Sequence, residues 1–362
     1  MEFNHVFDFK FKRLITVFTL FLAFSVTKAQ STSVDSAANE STSVAVHEDE
    51  PFEPTKVIME HISDSHGWHL WGETSIPLPV ILYTPQGLEV FSSAQFHHGK
   101  HNYKGAHYTY CLTENKIKVV ADDNKSIDET ASAAIIDLSI TKNVAAMFVS
   151  FALLFFVFTG VAKVYKKREG KSPKGFQSLI EPIILFIRDD IAKPNIGHKY
   201  TRFMPYLLTV FFFIWVNNML GLVPIFPGGA NVTGNIALTF VLSLGTLILV
   251  NINGNKYYWK HILTPDVPWW LYPIMIPVEL IGVLSKPFAL MIRLFANITA
   301  GHIIVLSLIS LIFIFKTMAI APVSVAFVLF MDVLELLVAF LQAFIFTLLT
   351  ALFIGMAVEE HH

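Results

Sequence analysis

The stretch MIRLFANITAGH, Met291–His302, sits inside a run of Phe, Leu, Ile, Val and Ala. It places an arginine, an asparagine and a histidine where hydrocarbon surroundings are expected. A charge at mid-membrane costs about 2.5–3.5 kcal/mol on insertion scales, and such residues mark ion pathways or proton relays. Arg293 cannot escape that cost by losing its proton, because a guanidinium stays charged. At about 100° per residue, Ala289, Ala296, Asn297 and Ala300 fall on the side of Arg293. Small side chains allow close helix approach, so Arg293 is prepared to meet a partner at short range. His302 lies nine residues on and is turned to roughly the opposite face.

Composition sets the class around this stretch. The chain of 362 residues is 54% hydrophobic and 15% charged, with 33 Phe and a mean hydropathy of +0.55. A soluble domain of this length carries more charge, so the chain reads as a membrane protein. Its net charge of -2 identifies no partner, because the charges are unevenly placed. A single cysteine, Cys111, excludes a disulfide within the chain and a structural zinc site built on several cysteines. There is no internal repeat, phosphate-binding loop or dinucleotide fingerprint, and no cofactor is expected.

Four regions are expected. Residues 1–29 read as a signal peptide: Lys10, Lys12 and Arg13 precede the apolar LITVFTLFLAFSV, and TKA before Gln30 offers a cleavage site. Residues 30–50, rich in Ser, Thr, Asp and Glu, read as a linker. Residues 51–142 read as a small extracytoplasmic region with short strands, such as PVILYT and KIKVV. Its histidines, among them His97, His98, His101 and His107, are read as a solvated surface, since no spacing fixes a metal geometry. Residues 143–362 form the membrane domain.

The first span runs from about Asn143 to Tyr165 and ends in the basic KVYKKREGKSPK. Positive charge marks the cytoplasmic side, so the N-terminal region lies outside, in agreement with the signal. FQSLIEPIILFIRDDIAKP, interrupted by Glu181, Arg188, Asp189 and Asp190, reads as an interfacial helix. Further spans are expected at about Met204–Pro224 and Asn235–Ile252. The apolar segments from about Tyr272 to Phe315 and, after Lys316 and APV, on to Val358 exceed the roughly 20 residues of an upright span. They are expected to be tilted, kinked near Pro273, Pro277 and Pro287, or partly in the membrane plane. The fold class is therefore an all-α membrane protein of about five transmembrane helices plus an interfacial helix, the last two forming a long tilted hairpin, with some strands in the exported region.

The final two segments hold the intramembrane polar groups. The first carries Glu279, Lys286, Arg293, Asn297 and His302; the second carries Asp332, Glu335 and Gln342. On the last helix, Asp332, Glu335, Ala339 and Gln342 share one face. Packed against the helix of His302, this stripe brings Glu335 near the histidine. Both groups can exchange protons near neutral pH. The chemistry divides into exchangeable groups for conduction and one fixed cation as a gate. Lys286 reads either as a partner of Glu279 or as a snorkelling side chain. Asp332 reads as a cap or interface residue, and Gln342 alternatively as interhelical glue.

MIRLFANITAGH followed by LLVAFLQAFIFTLLTALFI closely resembles subunit a of the F-type ATP synthase membrane sector. The resemblance runs from about Phe176 to the C-terminus and includes NNMLGLVP and ELIGVLSKPFAL. It implies a proton-translocating stator that provides two offset half-channels beside a rotating c-ring of small subunits, each bearing a membrane carboxylate. The family's essential arginine falls on Arg293. Its outer half-channel positions fall on Asn297, His302, Glu335 and Gln342, and a further acidic position falls on Glu279. The implied partners are the c-ring, the peripheral stalk subunit b and the lipid bilayer, with no nucleic acid and no small-molecule substrate other than protons. The implied setting is a bacterial inner membrane with the C-terminus cytoplasmic. The subunit is non-catalytic and binds no nucleotide. The N-terminal extension lies outside the family's common core.

Two other readings predict different features. A secondary ion-coupled transporter predicts internal repeats and a midplane substrate site at broken helices. An exported binding domain on a membrane anchor predicts spans free of charge.

Overall fold

The computed structural model describes residues 53–71, 74–99, 101–113, 115–121, 126–167, 172–173, 175–223, 226–264, 267–315 and 320–359. The signal peptide, its cleavage site and the linker expected up to residue 50 lie outside these residues. So do the side chains of His97 and His98.

The N-terminal part is a short helix followed by small antiparallel sheets. Helix α1 is Pro54–Ile62, with a proline in its first turn, where the missing N–H costs no hydrogen bond. Strands β1 (Gly67–Trp71) and β2 (Thr74–Pro77) pair with each other. Strand β3 (Pro79–Thr84) pairs with β4 (Gly87–Ser92) on one side and with β9 (Ile136–Asp137) on the other. A third sheet orders β5 (Tyr103–Lys104), β6 (Thr109–Thr113), β7 (Lys116–Val120) and β8 (Ile127–Asp128). The two segments expected as strands, PVILYT and KIKVV, are β3 and β7. Alternation on β3 sends Val80 and Leu82 inward, both 0% exposed, to meet Phe96, Tyr110 and Val119. Helix α2 (Glu129–Ala133) is capped by the Asp128 carboxylate, which accepts from Ala131 N–H.

Four helical stretches among the described residues are long and apolar enough to cross a membrane, and a bent helix pair makes a fifth. Helix α3 is Lys142–Lys167, matching the expected first span. Helix α4 (Phe176–Phe186) continues through a π-helical turn, Ile187–Ala192, into α5 (Lys193–Ile196). A 3-10 turn at Gly197, with φ of +67°, then leads into α6 (Tyr200–Leu222). The segment expected as an interfacial helix is thus α4 to α5, set off from α6 by the non-helical backbone of Gly197 and packed into the same bundle. Its apolar residues explain this: Ile187 and Ile191 are fully buried in the same core as Leu207, Phe211 and Ile214 of α6.

Helix α7 (Ile236–Ile252) starts at Asn235, whose side chain accepts from Ala237 N–H at 3.0 Å. It is followed, after a bend of 104°, by α8 (Lys256–Leu263). Helices α9 (Tyr272–Phe315, 44 residues) and α10 (Ala321–Val358, 38 residues) are the last two. At 1.5 Å per residue α9 is about 66 Å long, roughly twice the hydrocarbon thickness. Pro277 and Pro287 lie within α9, so each removes one backbone hydrogen bond from it. The C-terminal carbonyls of α10 are satisfied by Asn255, whose N–H donates to Ala357 O and whose side chain donates to Val358 O.

Helix α6 packs against α10 at the centre of the bundle, with α7 against α9 beside them. Leu207, Val210 and Phe211 meet Phe346, Ala351 and Ile354 in one core. At the end of α10, Gly355 lies directly beneath the Asn195 carbonyl, where a Cβ would collide.

Candidate functional site

The two faces of α9 near Arg293 differ as the helical arithmetic requires. Leu290, Met291 and Leu294 are buried against the bundle. Ala289, Arg293, Ala296, Asn297 and Ala300 are all exposed. The arginine therefore rises from an uncovered stripe of small residues. No ion pair or hydrogen bond engages it among the described residues, so neither Glu279 nor Glu335 neutralises it within the chain.

Nine residues on, His302 faces inward. Its Nε2 lies beside Gly221 of α6, as does the carbonyl of Ala230 in the loop after α6. The Glu335 carboxylate lies against Gly301, so closely that a methyl group there would collide with it. The expected approach of Glu335 to the His302 turn is therefore present. Further along α10, Ala339 and Gln342 are 1% and 4% exposed, while Asp332 is exposed. Asp332 is not a cap: α10 begins at Ala321, with Ile320 as the residue before it.

Helix α6 and its following loop complete this chamber. The Asn218 amide donates to Ala339 O at 3.2 Å, one turn from Glu335. Thr233 Oγ1 donates to Asn218 Oδ1 at 2.6 Å. Asn217 donates to Phe213 O, while its Oδ1 is buried without a protein partner. The side-chain oxygen of Thr299, one turn before His302, and Glu335 Oε1 are likewise buried without one. Asn217, Asn218, Thr233 and Thr299 were not singled out from sequence. The adjacent pair Asn217–Asn218 within an apolar span was the available signal, since polar side chains inside membrane helices pair across helices.

Lys286 and Glu279 do not form an ion pair. Lys286 instead places its Nζ 5.6 Å from the centre of the Phe353 ring on α10. It lines a shallow groove together with Val250, Tyr258, Pro287, Phe353 and Met356. Glu279 is half-buried one helical heptad away.

Residues 144–355 match the family described as ATP synthase A chain. Residues 57–138 match a domain of unknown function. The chain is 52% identical to ATP synthase subunit a of Chloroherpeton thalassium over 233 residues, covering 62% of this chain and 69% of that protein. It is 51% identical to ATP synthase subunit a of Chlorobium phaeobacteroides strain BS1 over 234 residues, covering 62% and 68%. Its identity to ATP synthase subunit a of Myxococcus xanthus is 44% over 236 residues, covering 63% and 75%. The family match spans more than half of the chain and contains the arginine stripe, His302 and Glu335, all of α9 and all but the last three residues of α10. This chain therefore belongs to the ATP synthase subunit a family and is a multi-pass membrane protein.

Proposed function

We propose that this chain is the stator of a proton-driven rotary motor, working beside a ring of subunits that each carry a membrane carboxylate. The observation that carries this reading is the pair of opposed faces on α9. One is exposed and holds Arg293 among small residues; the other is covered and holds His302 next to Glu335. A proton from the side of the N-terminal unit enters the chamber of His302, Glu335, Asn217, Asn218 and Gln342. From there it passes to the ring by way of Asn297 and neutralises a ring carboxylate. The neutral site turns through lipid. On the far side, past Glu279, the proton leaves towards the cytoplasm. The bared carboxylate is attracted to Arg293, which is permanently charged and blocks straight passage between the two paths.

Buried polar atoms without protein partners suit such a path, because they bind water and protons in transit. The energetic scale is set by voltage: 100 mV supplies about 2.3 kcal/mol per charge moved. Several protons must therefore combine for each ATP. The remaining partners are the stalk subunit b and the lipid of a bacterial inner membrane, with the N-terminal unit outside and the C-terminus cytoplasmic. The four-region division, from signal peptide to membrane domain, follows from the same orientation.

Arg293→Ala tests this reading in inverted vesicles that contain the whole complex. ATP-driven proton pumping should disappear while the other subunits still co-purify. Coupled pumping that survives the substitution overturns the assignment.

A further inference from the structure

The N-terminal unit has no assigned role, yet it is not a loosely tethered domain. Asp64 ties it to the head of α3: its carboxylate accepts from Thr141 Oγ1 at 2.7 Å and from Asn143 N–H at 3.0 Å. Helix α1 packs against α9. A third tie is Trp68 on β1. This side chain is 4% exposed and belongs to the membrane core, with Ala230 and Val232, rather than to the core of its own sheets. Its indole N–H donates to Gly228 O at 3.2 Å, and its ring meets Phe226 edge-on at 5.0 Å.

Phe226 and Gly228 begin the loop that ends at the chamber. Gly229 N–H donates to Leu220 O, folding the loop back over the end of α6. At Gly228 a Cβ would run into the Leu220 and Val223 carbonyls, so the backbone sits where only glycine fits. Two residues on, the Ala230 carbonyl lies over Gly221, beside His302 Nε2. Thr233 then bonds Asn218. The loop thus touches Trp68 at one end and the polar chamber at the other. Gly228 and Gly229 give the segment backbone freedom that Pro227 only partly offsets. Its position is set by what grips it.

We infer that the N-terminal unit is a built part of the outer proton mouth, and that Trp68 is the positioning residue that holds the loop from Phe226 to Thr233 over the chamber. This inference rests on the stator reading above. It assigns no proton to Trp68, which acts only through the loop backbone.

The test uses the whole complex in vesicles, with ATP synthesis driven by an imposed gradient. The pH on each side is varied separately at constant driving force. For Trp68→Ala, the proton concentration giving half-maximal rate on the N-terminal-unit side should rise by about two- to tenfold, the range one lost hydrogen bond spans. The dependence on the opposite side should not change. Trp68→Phe keeps the ring and loses the N–H. It should shift the same parameter less, and hydrogen exchange of the amides between 226 and 235 should rise. If the Ala protein does not assemble, the Phe protein decides. Unchanged exchange and an unchanged proton dependence in an assembled variant overturn the inference. Failure of the stator reading is distinguishable, because Arg293→Ala would then still pump.

Discussion

Helices α6 and α9 are both apolar enough to cross a membrane, but they are covered to very different extents. In the stretch that contains α6, 61% of the most apolar 18-residue window is buried within the chain. In the stretch that contains α9, the corresponding window is more apolar and only 6% of it is buried. The more apolar helix is therefore the one its own chain leaves bare. In water this would be an aggregation hazard; in a bilayer it is ordinary, because lipid solvates the apolar surface. Helix α6 tolerates asparagines because α10 and the following loop satisfy Asn218. Helix α9 carries an arginine that nothing among the described residues satisfies. Asn218 is covered and satisfied within the chain, whereas Arg293 is uncovered and, among the described residues, is not.

The sharpest way to break that contrast is to fill the bare stripe. Ala296→Trp puts a large ring on the exposed side of α9 beside Arg293. Gly160→Trp does the same on α3, where an added Cβ meets nothing within 4 Å. Pumping should be nearly lost in the first and close to normal in the second, with both complexes assembled. Equal activity would mean that the stripe faces only lipid. Next in size is Glu335→Gln, which keeps the side-chain shape and removes proton exchange. Proton flux should fall by at least about tenfold, a modest value for a positioned proton-transfer group. Unchanged flux would remove Glu335 from the path.

A smaller effect separates the anchored end of α10 from the bare part of α9 by one substitution made twice. Gly355→Ala drives a methyl group into the Asn195 carbonyl. It should cost about 1–3 kcal/mol, as overpacking does. Gly282→Ala meets nothing within 4 Å and should be neutral, or stabilising by about 1 kcal/mol through helix propensity. Thermal unfolding in detergent reads both, and a similar loss in each would contradict the contrast.

The parts of the fold written in local pattern were readable from sequence. Spans at α3 and α7, the strands β3 and β7, and the excessive length of α9 and α10 all follow from runs of residue type. The opposite facing of Arg293 and His302 followed from helical arithmetic alone. The chamber was only half legible. Its α9 and α10 members share helical stripes, whereas Asn217, Asn218 and Thr233 join them through a loop that no periodicity connects to residue 335. The burial of Ile187 and Ile191 was not legible, because Arg188, Asp189 and Asp190 suggested a surface. In the structure Arg188 and Lys193 both pair with Asp189, leaving Ile187 and Ile191 free to be buried. The docking of Trp68 was invisible, since a tryptophan on a short strand reads as part of its own sheet.

The remaining predicted effect lies in the N-terminal unit. His66 Nε2 meets Asp137 at 3.0 Å. Burial pushes the Asp137 carboxyl up, but the His66 contact and the Ser139 hydrogen bonds outweigh it and hold the group below the usual carboxylate range. A depressed folded-state value means that this stabilisation is present above the unfolded carboxylate value, about 3.9, and is lost as pH falls through the folded one. Asp137→Asn should therefore lower stability by about 1–3 kcal/mol near neutral pH, the cost of leaving His66 buried with a poorer partner. The gap to the unsubstituted protein should narrow below about pH 4. Asp64, whose burial pushes its carboxyl up, is present in both proteins and cancels in the difference. Unfolding followed across pH in detergent measures that gap. A gap that stays constant down to acid pH would show that Asp137 contributes shape rather than charge. Because the unit grips the loop after α6 through Trp68 and packs α1 against α9, loosening it at acid pH should reach the chamber by both contacts.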